Sequence, residues 1–201
     1  MKNITLIIIC FLAIQINAQK QHTIKESKKF QQKLNKEFAN KEKSPLTEDD
    51  IKTFKTLEFF PIDSSYIVTA KLKIHKDSKP FPMKTTTDRL PIYKLYATAF
   101  FKIKGVDYEL EIYQNQKLIL TNDFEDYLFL PFTDKTNAVT SYGGGRYIDL
   151  KLPKGDTILI DFNMAYNPYC AYNGKYSCPI PPKENYLNTE INAGVKAYKG
   201  H

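Results

Sequence analysis

A mainly β domain is predicted for this 201-residue chain: an antiparallel β-barrel or sandwich-like core with one or two N-terminal helices. Three observations predict it. From Tyr66 onward the apolar period is two: Tyr66, Val68, Ala70, Leu72 and Ile74 fall on one face, with Thr69, Lys71, Lys73 and His75 on the other. Lys104-Gly105 separates two long apolar-rich runs, as a tight hairpin turn does. Helical spacing is confined to the N-terminal part, where Ile24, Phe30, Leu34 and Phe38 make one apolar stripe.

The chain opens on Met1-Lys2-Asn3, an almost unbroken apolar run from Ile4 to Ile16, and the small Ala18 before Gln19. That order of charge, apolar stretch and small residue reads as a secretory signal peptide over residues 1–18, cleaved before Gln19. The run is shorter than the about 20 residues that span a bilayer. A single mature domain over residues 19–201 is expected, exported to the periplasm or outside the cell, with no transmembrane span and as a monomer or weak oligomer. Twenty-nine basic residues against 22 acidic ones give a net charge of +7, concentrated between Lys20 and Lys55. Only Arg89 and Arg146 are arginines. This pattern reads as a solvated lysine-rich face, with no nucleic-acid partner.

An amphipathic helix is expected over Ile24–Asn40, and after Ser44-Pro45 a short one opening at Thr47 as N-cap and running through Phe54. Strands follow at Tyr66–Ile74, Tyr93–Ile103, Val106–Tyr113, Lys117–Thr121 and Tyr127–Phe132, with a proline-bearing loop over Lys79–Pro91. Ile148, Leu150 and Leu152, and then Ile158, Ile160 and Phe162, alternate with polar residues on either side of a turn at Pro153–Asp156. Paired as a hairpin, these runs place Leu152 against Ile158, with Asp149 opposite Asp161 and Tyr147 opposite Asn163. Two facing carboxylates repel and require compensation by solvent, a cation or Arg146.

The richest chemistry lies between Pro131 and Asn185. Gly143, Gly144 and Gly145 could form an anion-binding nest with Arg146 beside it, or a turn before a strand with Arg146 paired to an internal acid. The expected site has Arg146, Asp161 and Asn163 converging at one end of the core. It is roofed by Tyr142 and by the loop carrying Tyr166, Asn167, Tyr169 and Tyr172. Its ligand would be small and anionic or polar, or an envelope polymer, held by a binding or accessory module. The alternative is a hydrolase of an envelope or extracellular polymer using Asp161 with Asp149 or Glu184. No phosphate-loop, dinucleotide or nucleophile-elbow pattern occurs, so no cofactor is indicated by motif, and two cysteines without neighbouring histidines do not make a zinc site. Export removes Cys10 and leaves Cys170 and Cys178 as an even pair in an oxidising compartment, where a disulfide is expected.

The runs Tyr142–Tyr147, Asp161–Tyr172, Ser177–Pro182 and Ala193-Gly194 resemble the signature of the bacterial domain-of-unknown-function family 1684. The run Phe54–Leu72 and the hairpin around Gly105 are also similar to it, so the resemblance covers roughly Ile24 to Lys199. It implies a compact member without the extra N-terminal sheet segment of longer ones. It implies no activity, substrate or catalytic residue.

Overall fold

The computed structural model describes residues 24–199, and the expected signal peptide lies outside them. Helix α1 occupies residues 24–39 and buries Ser27, Leu34 and Phe38 along one stripe. Helix α2 (Glu48–Thr53) begins where the Asp50 amide donates to the Thr47 hydroxyl at 3.1 Å, with Glu48, Asp49 and Asp50 in its first turn. Cap and acids satisfy the free amides of that end and complement its dipole.

Eight strands follow: β1 (Ile67–Ile74), β2 (Phe81–Pro82), β3 (Ile92–Ile103), β4 (Val106–Asn115), β5 (Tyr127–Asp134), β6 (Arg146–Lys151), β7 (Thr157–Asp161) and β8 (Tyr186–Leu187). They form one sheet ordered β6-β5-β4-β3-β1-β7, with β2 on β3 and β8 parallel to β5; the other pairings are antiparallel. This is the expected mainly β architecture, curled into a half-barrel. Lys104 and Gly105 both take positive φ, 50° and 84°, and close the β3–β4 hairpin with Ile103 opposite Val106.

Alternation gives the sheet two packed faces. Ala70, Ala99, Leu110, Ile112, Leu128, Leu130, Ile148 and Ile160 belong to the inner core. Burying each of its large aliphatic side chains contributes about 1.5–3 kcal/mol. On the other face Tyr93, Tyr113, Phe129 and Tyr147 make a second, aromatic cluster with Met83. A third joins Leu34 and Phe38 of α1 to Leu46, Leu57, Tyr172 and Val195, and so fixes the helix against the chain's C-terminal third.

Two sequence expectations are corrected. Residues 117–121 are not a strand: Leu118–Leu120 is a 3-10 turn, and Leu120 is exposed. The Asn115 side chain accepts the amides of Lys117 and Leu118 at 3.0 and 2.9 Å and turns the chain there. Nor do β6 and β7 pair as a hairpin. They stand at opposite ends of the strand order, β6 on β5 (Leu130 opposite Ile148) and β7 on β1 (Val68 opposite Ile160). The connecting segment is drawn apart: the Leu152 amide bonds the Asp126 carbonyl at 2.7 Å, and the Leu72 amide bonds the Asp156 carbonyl at 2.8 Å. Asp149 therefore faces Phe129 of β5, and Asp161 faces Ile67 of β1.

Candidate functional site

Because Leu128, Leu130, Ile148 and Leu150 point into the core, Tyr127, Phe129, Tyr147 and Asp149 occupy the opposite face of β5 and β6. The loop after β7 returns over that face. Tyr166 exchanges two backbone hydrogen bonds with Tyr147, at 2.9 and 3.0 Å, and their rings meet edge to face at 5.9 Å. Tyr147 also stands edge-on to Phe129 at 4.7 Å, and its hydroxyl donates to the Pro179 carbonyl. Leu34 and Glu37 of α1, with Tyr169, Tyr176, Ser177 and Cys178, complete the walls of a cavity of about 390 Å³.

Asp149 is its chemical centre. The hydroxyls of Tyr166 and Tyr127 both donate to Oδ1, at 2.6 and 2.8 Å. Among the described residues none hydrogen-bonds Oδ2, and none forms an ion pair with this carboxylate. Protein surrounds the group on nearly every side, yet more than a third of the residue's surface stays accessible through the cavity. Burial pushes its pKa up; the bonds from Tyr166 and Tyr127 partly oppose this. Burial likewise raises Tyr127, Tyr147 and Tyr166 above the ordinary phenol value, so all three are neutral donors at physiological pH.

At the rim, Cys170 and Cys178 are free thiols in contact; the expected disulfide is not formed here. The Cys170 amide donates to Cys178 Sγ at 3.2 Å, and the Tyr142 hydroxyl lies 3.8 Å from Cys170 Sγ. The Cys178 thiol's hydrogen bond lowers the Cys170 pKa to about 6, against the opposing effect of burial. The same bond, followed by burial, raises Cys178.

The structure places the other sequence candidates differently. Arg146 is fully buried: Nη2 donates to Asp134 Oδ2 at 2.8 Å and to the Ile191 carbonyl at 2.8 Å, Nη1 donates to the Ala193 carbonyl, and the guanidinium lies 5.2 Å from the Phe132 ring centre. Its partner is Asp134, not Asp161. Asp161 is buried beneath α1, where it accepts the Ser27 hydroxyl and both the backbone and side-chain amides of Asn163, at 2.9 and 2.8 Å. Asn163 in turn bonds the backbone of Asp63 in both directions. Arg146 thus has a separate set of partners, and these three residues form structural ties rather than one open site.

Gly145 takes φ +90°, and a Cβ there would lie 2.7 Å from the Phe132 carbonyl. It makes the turn into β6, while Gly143 and Gly144 are exposed. Asn167 donates to the Lys196 carbonyl at 2.8 Å, and Tyr172 is buried edge-on to Phe38 at 4.7 Å. Glu184 is exposed in a 3-10 turn, 3.9 Å from the Lys183 amine. The three carboxylates weighed for acid–base work, Asp149, Asp161 and Glu184, are held by three different sets of partners. Of the expected ligand-binding residues, Tyr166 and Tyr169 line the cavity. The structure adds Tyr93, Tyr127, Phe129, Tyr147 and the α1 rim, whose signal in the sequence is bulky aromatics on the face of β3, β5 and β6 opposite the core.

The sequence profile of the family described as "Protein of unknown function (DUF1684)" matches residues 52–196. The chain belongs to that family. This DUF1684 protein is similar to the uncharacterized protein from gene locus rrnAC0354 of Haloarcula marismortui, solved by solution NMR. The two share 32% identity with a TM-score of 0.68, over 94% of this chain and 98% of that one. A comparison with curated proteins finds no match. All the cavity residues except Leu34 and Glu37 fall inside the matched segment.

Among the described residues no helix is long and apolar enough to cross a membrane, and no group of three or more histidine, cysteine or acidic side chains is placed to hold a metal.

Proposed function

We propose that this DUF1684 protein is an exported small-molecule-binding module of the cell envelope that holds its ligand in the aromatic cavity over Asp149. The observation that carries the reading is the cavity itself. Its volume of about 390 Å³ suits one small ligand, its walls are largely aromatic, and the Asp149 carboxylate, with Glu37 at the rim, gives it orientation. The Tyr147–Tyr166 backbone bonds hold opposite walls together before any ligand arrives, which lowers the ordering cost of binding. In the exported protein, Cys170 and Cys178 would pass two electrons and two protons to an oxidised dithiol carrier and form a disulfide, fastening the rim strap.

A thermal-shift screen of small metabolites against the wild type and Glu37→Trp, which fills the cavity mouth, tests the reading. Compounds that raise the wild-type melting temperature should lose that effect in the variant. Equal stabilisation of both proteins by every hit would contradict it.

A further inference from the structure

We infer that the ligand of this cavity carries an organic ammonium group. The inference rests on the cavity being the ligand site, and within the expected small anionic or polar ligand, or envelope polymer, it selects a polar cationic small molecule. Three of the phenol donors nearest the carboxylate are committed to other acceptors. Tyr127 and Tyr166 spend their hydroxyl protons on Asp149 Oδ1, and Tyr147 spends its own on the Pro179 carbonyl. The described lining residues include Asp149 and Glu37 but no lysine, arginine or histidine.

What the cavity offers is the complement of a cation. Asp149 Oδ2 accepts from no described residue, while Oδ1 is pinned by the two tyrosines, so one face of the carboxylate is aimed and free. Asp149 opens to the cavity between aromatic walls and has no ion-pair partner among the described residues, so a cationic ligand would supply the missing counter-charge. Aromatic faces around it attract a cation through the negative potential of their π-systems. An alkylated ammonium suits these walls best: it is weakly hydrated, presents methyl or methylene groups to the rings, and needs only one acceptor for its charge.

The test titrates the mature protein with choline and with dimethylbutanol, the neutral isostere in which carbon replaces nitrogen. Asp149→Asn is the informative variant, because an asparagine Oδ1 can still accept both tyrosine hydroxyls and preserve the wall; an unchanged far-UV spectrum and cooperative melt verify this. Choline should bind the wild type at least about tenfold more tightly than the alcohol, and Asp149→Asn should erase the preference. Equal affinities in the wild type, absence of choline binding, or an unaltered preference in Asp149→Asn would overturn the ammonium assignment. Glu37→Trp separates this outcome from failure of the cavity reading. If it blocks two equally bound probes, the cavity stands and only the charge class falls. If both probes bind the plugged variant unchanged, the cavity reading falls too.

Discussion

Arg146 Nη2 and Asp134 Oδ2 lie 2.8 Å apart, and neither side chain reaches solvent. Burial lowers the arginine's pKa, and Asp134 counters it. The remaining guanidinium bonds run to the Thr136 hydroxyl and the Ile191 and Ala193 carbonyls, so the pair ties β5 and β6 to the C-terminal segment. Removing one partner leaves the other charged and unpaired in the core. Arg146→Ala is therefore expected to cost about 3–5 kcal/mol in urea unfolding. A loss under about 1 kcal/mol, the size of an exposed pair, would contradict this.

Gly145 and Gly105 both take positive φ, but their surroundings differ. A Cβ at Gly105 meets open space, whereas at Gly145 it lies 2.7 Å from the Phe132 carbonyl and 2.8 Å from Pro181 Cγ. Gly105→Ala should cost only the backbone strain, about 1–2 kcal/mol. Gly145→Ala adds a clash and should cost clearly more. Equal denaturation midpoints for the two variants would refute the comparison.

In the reduced protein, Cys170 should react with iodoacetamide as a thiolate well below the ordinary thiol range. Its half-maximal rate is expected near pH 6, because the Cys178 thiol's hydrogen bond stabilises the anion. Cys178→Ala should move that midpoint upward. If the protein is exported as proposed, peptide mapping without reductant of protein isolated from its source cells should find the two residues joined. Two alkylatable thiols in such a sample would defeat the oxidised state, leaving the thiolate measurement intact.

Asp149 yields a pH prediction with a defined sign. The groups around it are Tyr127 of β5, Tyr93 of β3, Tyr166 and Tyr169 of the returning loop, and Glu37 at the α1 rim. Its folded pKa is raised, so the native state holds this proton more tightly than the unfolded chain does. The resulting stabilisation is complete below the unfolded value and is lost as pH rises through the folded value. Access through the cavity moderates its size. Melting curves of the wild type and Asp149→Asn from about pH 3 to about pH 8 should diverge in the variant's favour as pH rises. A gap that closes with rising pH would contradict the raised value.

Much of the fold was legible locally. The stripe Leu34–Phe38, the alternation Val68–Leu72 and the glycine turn at 105 each carry their own period or backbone signal. Alternation also showed that Ile148, Leu150, Ile158 and Ile160 point inward. It could not show which strands they join, since the same face fits a hairpin or two distant neighbours. That non-local choice moved Asp161 away from Asp149, and it gave Arg146 the partner Asp134 rather than Asp161. The cavity was hidden for a related reason: Tyr127, Tyr147 and Asp149 come together only when β5 pairs with β6 and Tyr166 folds back over both.

The central claim, that the cavity over Asp149 takes an organic cation, is tested most directly by NMR of the protein from residue 19 onward carrying isotope-labelled tyrosine rings. On titration with choline, the ring signals of Tyr127, Tyr147 and Tyr166 should shift together along one saturable curve, while Tyr66 in the inner core and Tyr198 near the C-terminus stay in place. Cavity signals that never move, or shifts confined to Tyr66 or Tyr198, would contradict it.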